Sequence, residues 1–348
     1  MMIFNKKQIL FHPGNCLNLK KPYARECRQC LLFCPHEAIN EKKDILRDKC
    51  TECGVCMAVC PSDGLVDRDM NRLGKYLFGD GKITLNCPLA EPLGYEIACL
   101  GMLDRDAWTT LILLADSREV EILTGDCGSC DDRPACVVSV AFLKELLQAQ
   151  SESPQFKIKV FPAQGDSNKE GGKENNLDSN KKKVEPRLSL RQQGKDKIKD
   201  LFPAIEAEET YNIPKTRQWF AQALSLNPEK KIPYKAIKAN EKCTSCGVCA
   251  KICPQDALQQ VQRDGKIRLI YEPLKCVQCS RCVDICGPGA LKFEYVDFSH
   301  KFLTGKILLI ETFAKYCAKC GKQIFHNIEP QLCMACASKD SSLKGILY

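Results

Sequence analysis

The chain has 348 residues, 44% of them apolar, enough for two or three compact domains. Twenty-five cysteines in a chain this long exclude a small disulfide-stapled secreted scaffold and point to metal binding where thiols stay reduced. The formal charge of +8 counts every cysteine as a neutral thiol, so metal-bound thiolates would draw it toward neutrality and it is no argument for a polyanion partner.

The opening MMIFNKKQILFHPGN has no apolar h-region, and the longest apolar run, near Trp108 to Ala115, is too short to span a bilayer. The expectation is a soluble, cytoplasmic protein without a membrane span, in an anaerobic or low-oxygen host because exposed iron-sulfur sites are oxidised readily.

Residues 1–80 carry the first of two cysteine arrays. Lys49 to Leu65, KCTECGVCMAVCPSDGL, recurs at Lys242 to Leu258 as KCTSCGVCAKICPQDAL, so one type of module is used twice. Cys50, Cys53, Cys56 and Cys60 before Pro61 read C-x2-C-x2-C-x3-C-P, as do Cys243, Cys246, Cys249 and Cys253 before Pro254. A tight loop with this spacing presents three thiolates to one iron-sulfur cubane, while the fourth, expected at the start of a helix, reaches a second one. Gly54 and Gly247 stand where the loop needs a small residue with φ > 0.

Both arrays, over residues 9–65 and 239–295, resemble the two-cluster bacterial ferredoxins, a family of small electron carriers, and the resemblance implies two [4Fe-4S] clusters in each. Crossed ligation assigns Cys243, Cys246, Cys249 and Cys286 to one cluster and Cys253, Cys276, Cys279 and Cys282 to the next. Cys286 is followed by Gly287-Pro288, displacing the proline by one residue. In the first array Ala24 occupies the first ligand position ahead of Cys27, Cys30 and Cys34. Cys16 is the only upstream cysteine, and the excursion from Leu17 past Pro22 to Glu26 can return it. The sets are then Cys16, Cys27, Cys30, Cys60 and Cys34, Cys50, Cys53, Cys56; without Cys16 the first site would hold a three-iron cluster or an open iron. Zinc or plain buried thiols are the competing reading for these sixteen residues.

Residues 81–163 alternate strand-like segments (KITLNC, YEIAC, VEILTGDC, FKIKVF) with helical ones over 104–117 and 135–150, as in an α/β unit with a parallel sheet. Cys87, Cys99, Cys127 and Cys130 follow predicted strands, where such a sheet places its ligand crevice. The stretch Ile97 to Cys130, IACLGMLDRDAWTTLILLADSREVEILTGDCGSC, resembles the iron-sulfur delta subunit of methyl-viologen-reducing hydrogenases. That implies a [2Fe-2S] cluster, with Cys99 at the family's strand-to-helix turn and Cys127 and Cys130 as its later pair, here at the shorter C-x2-C spacing. A redox dithiol is the alternative, and Cys136 reads as a buried thiol on a helix face.

Residues 164–200, rich in Lys, Asn, Gly and Ser and including Lys181 to Lys183, read as a flexible charged linker, which leaves the arrays to dock through the middle domain or a partner. Residues 201–238 have helix-compatible spacing around Trp219, Phe220 and Leu224 and read as a helical adaptor before the second module, 239–300. In 301–348, a strand over Ile307 to Phe313 leads into Cys317-x2-Cys320 and Cys333-x2-Cys336, the spacing of a zinc ribbon, with a single iron as the alternative. His12, His36, His300 and His326 show no ligand spacing with one another.

The expected fold is α+β and multidomain: two ferredoxin-like dicluster modules flanking a small α/β parallel-sheet domain, with a flexible linker and a C-terminal zinc ribbon. Four cubanes and a four-thiolate zinc contribute roughly −10 in all, about −2 each. The expected function is electron transfer as a subunit or partner of a redox enzyme, hydrogenase-like or dehydrogenase-like, or with a soluble carrier. No catalytic residues are expected, since no dinucleotide or phosphate loop occurs. The alternatives are a thiol- or cluster-based redox enzyme acting through the middle domain, and an assembly or nucleic-acid factor using the ribbon.

Overall fold

The computed structural model describes residues 9–21, 23, 25–67, 69–148, 156–160, 213–324 and 331–337. Pro22, Ala24, the linker at 164–200 with Lys181 to Lys183, and His326 lie outside the described residues.

The first array is bracketed by β1 (Ile9–Phe11) and, past the single-turn helices α1 (Leu17–Lys20), α2 (Gln29–Leu32) and α3 (Val55–Ala58), by β2 (Leu65–Asp67). These strands pair antiparallel from Ile9↔Asp67 to Phe11↔Leu65, and the His12 N–H donates to the Gly64 carbonyl at 2.8 Å. The array's two ends are thereby closed on each other.

After α4 (Met70–Leu77) come β3 (Ile83–Asn86), β4 (Tyr95–Glu96), α5 (Arg105–Leu114), β5 (Val120–Thr124), α6 (Arg133–Gln148) and β6 (Phe156–Val160). The four strands form one parallel sheet in the order β4-β3-β5-β6. Every residue of β3 and β5 is buried, the pattern of strands covered on both faces. Asp104 caps α5 by accepting the Ala107 N–H at 2.7 Å. From Asp106 to Leu114 α5 is buried all round; Trp108 donates its indole N–H to Ser139 Oγ at 2.8 Å, satisfying its polar end within the core.

The second array follows α7 (Lys215–Leu226) and comprises β7 (Ile232–Ala239), α8 (Val248–Ile252), β8 (Leu258–Arg263), β9 (Lys266–Tyr271), α9 (Arg281–Asp284) and β10 (Leu291–Phe298). β7 pairs antiparallel with β10 from Ile232↔Phe298 to Ala239↔Leu291. β8 turns into β9 through Asp264-Gly265, both at positive φ (54° and 70°), as a two-residue hairpin turn requires. After α10 (His300–Thr304), β11 (Ile307–Phe313) joins the other edge of β9. The small hairpin β12 (Lys315–Tyr316) and β13 (Gln323–Ile324), with α11 (Met334–Ala337), closes the described chain around its own core of Cys317, Ile324, Leu332, Cys333 and Ala337.

Two boundaries shift. The helical adaptor expected over 201–238 is helix only at Lys215–Leu226 among its described residues; from Ile232 burial alternates with period two, and the segment is a strand of the second array. β11, expected to open the C-terminal end, instead completes the sheet of β9 and β8.

Helix α7 joins these parts. Arg217, 5% exposed, donates its Nε to Asp106 Oδ2 of α5 at 2.6 Å and its Nη1 to the Pro273 carbonyl at 3.3 Å. Tyr234 of β7 donates its hydroxyl to the other oxygen of Asp106. Phe220 packs on Tyr234 and Phe298 (centroids 5.1 and 6.2 Å), and Trp219 covers Gly74 of α4, where a Cβ would come within 2.5 Å of the indole nitrogen. One hydrophobic core consequently runs through both arrays and the parallel sheet.

Removing one partner of a buried pair strands the other charge. Asp106→Ala is expected to lower the unfolding free energy by about 3–5 kcal/mol, measured as a shift of the guanidinium midpoint. Asp106→Leu combined with Arg217→Met should recover most of that loss.

Candidate metal centres

In the first array, the thiol of Cys30 has Lys43, Cys60, Cys27 and Cys16 near it, and that of Cys56 has Cys53, Cys50, Cys34 and Cys30. The cysteines of each expected four thus neighbour one another, and Cys56 also neighbours Cys30 of the other four. Cys16 immediately precedes α1, and its backbone lies beside Gly64, where an added Cβ would stand 3.4 Å from Cys16 Cα and 3.3 Å from Cys60 Sγ. The excursion that returns Cys16 is closed by Asn18, a residue that spacing alone does not single out. Its Nδ2 donates to the Cys27 carbonyl and its Oδ1 accepts the Cys27 N–H, both at 2.9 Å.

In the second array Cys249 has Cys243, Cys246 and Cys286 around it, and Cys282 has Cys276, Cys279 and Cys253. Gly54 and Gly247 adopt φ of 78° and 73° as the loops require, and Ser280 takes the equivalent left-handed place at 62°. The fourth cysteine of each motif does not start a helix. Cys34, Cys60, Cys253 and Cys286 each enter a turn in which the N–H four residues on donates to the sulfur, from Ala38, Gly64, Ala257 and Ala290 at 3.1 to 3.3 Å. Cys286 has the same bond as the others, so its displaced proline leaves the local geometry intact. The Tyr271 hydroxyl also hydrogen-bonds the Cys276 thiol.

Burial pushes the thiols of Cys30, Cys53, Cys249 and Cys279 up to about 11. It moves Cys56 and Cys282 well above the ordinary thiol range too, with neighbouring thiols adding to the effect. Four crowded thiols resist ionising together; iron supplies the compensating positive charge, so cluster loading must release protons.

Within each array the two sets neighbour each other, and lysine contacts join the arrays. Cys56 has Cys30 among its neighbours, and Cys282 has Cys249. Between the arrays, Lys21 donates Nζ to the Cys253 carbonyl at 2.6 Å and to Asp256 at 2.7 Å, while Lys20 reaches Gln255 Oε1 at 2.6 Å. Arg281 Nη1 returns to the Lys21 carbonyl at 2.7 Å. The excursion after Cys16 thus also docks the first array on the second.

In the middle sheet, Cys87, Cys127 and Cys130 lie near one another, but their fourth neighbour is Cys136: its thiol has Cys127, Cys87 and Cys130 around it. Cys99, expected in this group, has Cys136, Cys53 and Asp132 as its neighbours and accepts the Gly101 N–H at 3.3 Å. A place after a strand singles out Cys99 in the sequence, whereas the helical position of Cys136 resembles that of a core thiol and conceals it. His36, expected to lie on a loop without a ligand partner, bonds Asp132 at 2.7 Å through Nε2.

At the C-terminal end Cys317, Cys320, Cys333 and Cys336 have all their sulfurs within 4.8 Å of one another, Cys320 and Cys333 at 3.6 Å. A backbone N–H from Cys333, joined by those of Lys319 and Cys320, lowers the Cys317 thiol to about 6, while hydrogen bonds with Cys320 and Cys333 raise Cys336 to about 12. The arrangement suits one tetrahedral ion, whose ligand edges span ~3.8 Å for bonds of about 2.3 Å.

Residues 24–71 match the family described as the LdpA Fe-S cluster-binding domain, and residues 242–290 match the 4Fe-4S dicluster domain. The first match includes Cys27 to Cys60 but not Cys16. A 43-residue stretch is 40% identical to pyruvate synthase subunit PorD of Methanothermobacter marburgensis, covering 12% of this chain and 53% of that protein, about half its length. The chain is an iron-sulfur protein with 4Fe-4S binding domains, and its middle sheet and four-cysteine end fall outside both family matches. Among the described residues no helix is long and apolar enough to cross a membrane.

Asp63, three residues beyond Cys60, accepts the Lys215 N–H at 2.7 Å, and burial pushes its carboxyl up to about 6. A raised acid costs nothing below the unfolded value of about 4, increasingly more as pH rises to about 6, and a constant amount above. Asp63→Asn keeps the acceptor and removes that cost, so its gain in melting temperature should be larger at pH 8 than at pH 5 in anaerobic melts. Equal gains would contradict the assignment.

Proposed function

We propose that this chain is an electron-relay protein whose sixteen array cysteines hold four [4Fe-4S] clusters. The ligand sets are Cys16, Cys27, Cys30, Cys60; Cys34, Cys50, Cys53, Cys56; Cys243, Cys246, Cys249, Cys286; and Cys253, Cys276, Cys279, Cys282. The observation that carries this reading is that the two sets of each array neighbour each other, Cys56 beside Cys30 and Cys282 beside Cys249, while Lys21 joins the first array to the Cys253 carbonyl of the second. Electron transfer needs such adjacency, whereas isolated metal sites that only stabilise loops have no reason to pair within each module.

N–H donors to the sulfur of each fourth cysteine would tune the potentials and hold the ligand loops. The likeness to a pyruvate synthase subunit supports service as a relay subunit or partner of a redox enzyme, hydrogenase-like or dehydrogenase-like. The four-cysteine end would hold one zinc, with a single iron as the alternative, and fold its short segment around it.

Anaerobic iron and sulfide analysis with Mössbauer counting of the cubane component should find about sixteen irons in cubanes; four or fewer would sink the proposal. Cys16→Ala should turn one cubane into a three-iron cluster, visible by EPR of the oxidised protein, at the cost of about one iron. An unchanged spectrum would remove Cys16 from the ligands. About one zinc per chain is expected, lost in Cys333→Ala.

A further inference from the structure

Two arginines are buried among the described residues, and both lie beside the Cys253 set. Arg217 acts on the Cys276 thiol but is matched by Asp106, so that pair is neutral. Arg281 of α9, 3% exposed, has no such match. Its Nη1 donates to the Lys21 carbonyl at 2.7 Å, its Nη2 reaches Asn18 Oδ1 at 3.5 Å, and its guanidinium lies 5.1 Å from the centre of the Tyr23 ring. None of these partners is a carboxylate. Among the described residues Arg281 forms no ion pair: Asp256 is bound by Lys21, and Asp284 by Arg25.

A cation shut off from water without a counter-ion is costly, so a fold that keeps one must supply an anion nearby. Arg281 lines the cavity that Cys253, Cys276, Cys279 and Cys282 enclose. Its backbone N–H donates to the Cys279 sulfur, and its charge acts on the same thiol. Four thiolates with an oxidised cubane, at a net charge of about −2, are the anion that fits this place. Tyr271 of β9, 1% exposed, adds a hydroxyl hydrogen bond to Cys276 of the same set.

We propose that Arg281 and Tyr271 make the Cys253 set the highest-potential station of the relay, the point at which electrons collect. The inference rests on the relay reading and gives it a direction. An added electron makes a cluster more negative. A cation or a hydrogen-bond donor held against its sulfurs in a low-dielectric interior therefore favours the reduced form.

The other sets have no comparable bias. Around the Cys34 set, Glu52 and Asp132 oppose Arg47; Thr51 bonds the Cys53 thiol much as Tyr271 bonds Cys276, but Asp132 stands beside that same thiol. Around the Cys16 set, Lys43 near Cys30 is opposed by Asp63 near Cys60. In the Cys243 set, the side chains that act most on Cys249 are thiols. Within the second array, one electron then leaves the reduced Cys243 set, which returns to its oxidised state, and the Cys253 set is reduced by one. No bond or proton changes hands, and a one-electron donor on the partner enzyme supplies the electron.

The test is an anaerobic redox titration of the full chain, loaded with iron and sulfide and followed by EPR. The first reduction met on lowering the potential should belong to the Cys253 set. Tyr271→Phe and Arg281→Gln should each move it to lower potential by ~59 mV, a tenfold change in a one-electron equilibrium, and leave the later reductions in place. Arg281→Lys keeps the charge but loses the planar fork, so it should retain most of the original potential. Unchanged iron content in each variant reports intact folding. A first reduction unmoved in Tyr271→Phe and Arg281→Gln, a shift confined to a later reduction, or equal shifts in Arg281→Lys and Arg281→Gln would overturn the proposal. Absence of cubane signals from the loaded chain would instead overturn the relay reading on which it rests.

Discussion

The ion pair between Arg217 and Asp106, closed by the Tyr234 hydroxyl, is the contact on which the arrangement of the metal centres depends. It ties α5 of the parallel sheet, helix α7 and strand β7 of the second array in one buried knot. A charge pair with little access to water tolerates few alternatives: each partner's desolvation is compensated only in this geometry. Aromatic packing of Phe220, Tyr234 and Phe298 surrounds the knot with apolar surface, and the bridge from Lys21 to the second array lies on the same assembled unit. Adjacency between cysteine sets is therefore maintained by tertiary packing as well as by chain connection.

The electrostatics of the buried thiols add a second constraint. Clustered cysteines without metal are held protonated by burial and by one another, so the same packing that shields a cluster also makes the apo state resist becoming anionic. The C-terminal site differs because backbone N–H groups lower Cys317, favouring one thiolate before any metal arrives. This contrast matches the chemistry proposed for them: multi-iron clusters assembled in a protected interior, and one tetrahedral ion on a small hairpin.

Much of the site was legible because ligand spacing is local. Three thiolates on one loop must fall at short fixed intervals, and a left-handed residue after the second is needed to aim them, which is why Gly54 and Gly247 were recognisable. Cys16 could be named only as the nearest spare thiol; what returns it, the paired hydrogen bonds of Asn18 to Cys27, involves an ordinary polar residue with no motif. The expectation that fourth cysteines begin helices failed because the N–H four residues on turns to the sulfur and the chain continues into a turn. The parallel order of the middle strands followed from their alternation with helices, whereas β7 was hidden by the helical composition just before it.

Sequence by itself determined that this is a cysteine-rich iron-sulfur chain with a repeated ligand pattern, since thiolate spacing on a short loop is set by covalent geometry. Only the tertiary structure decided which distant thiols come near one another. Cys136 comes near Cys87, Cys127 and Cys130 because a helix start and two strand ends converge at one sheet edge, and Cys99 has both Cys136 and Cys53 near it because α6 packs against the loops of the first array. It likewise decided that the excursion after Cys16 faces the second array, through lysine contacts more than 230 residues apart in sequence. Long-range convergence depends on packing and buried charge pairing, and neither leaves a local spacing to read.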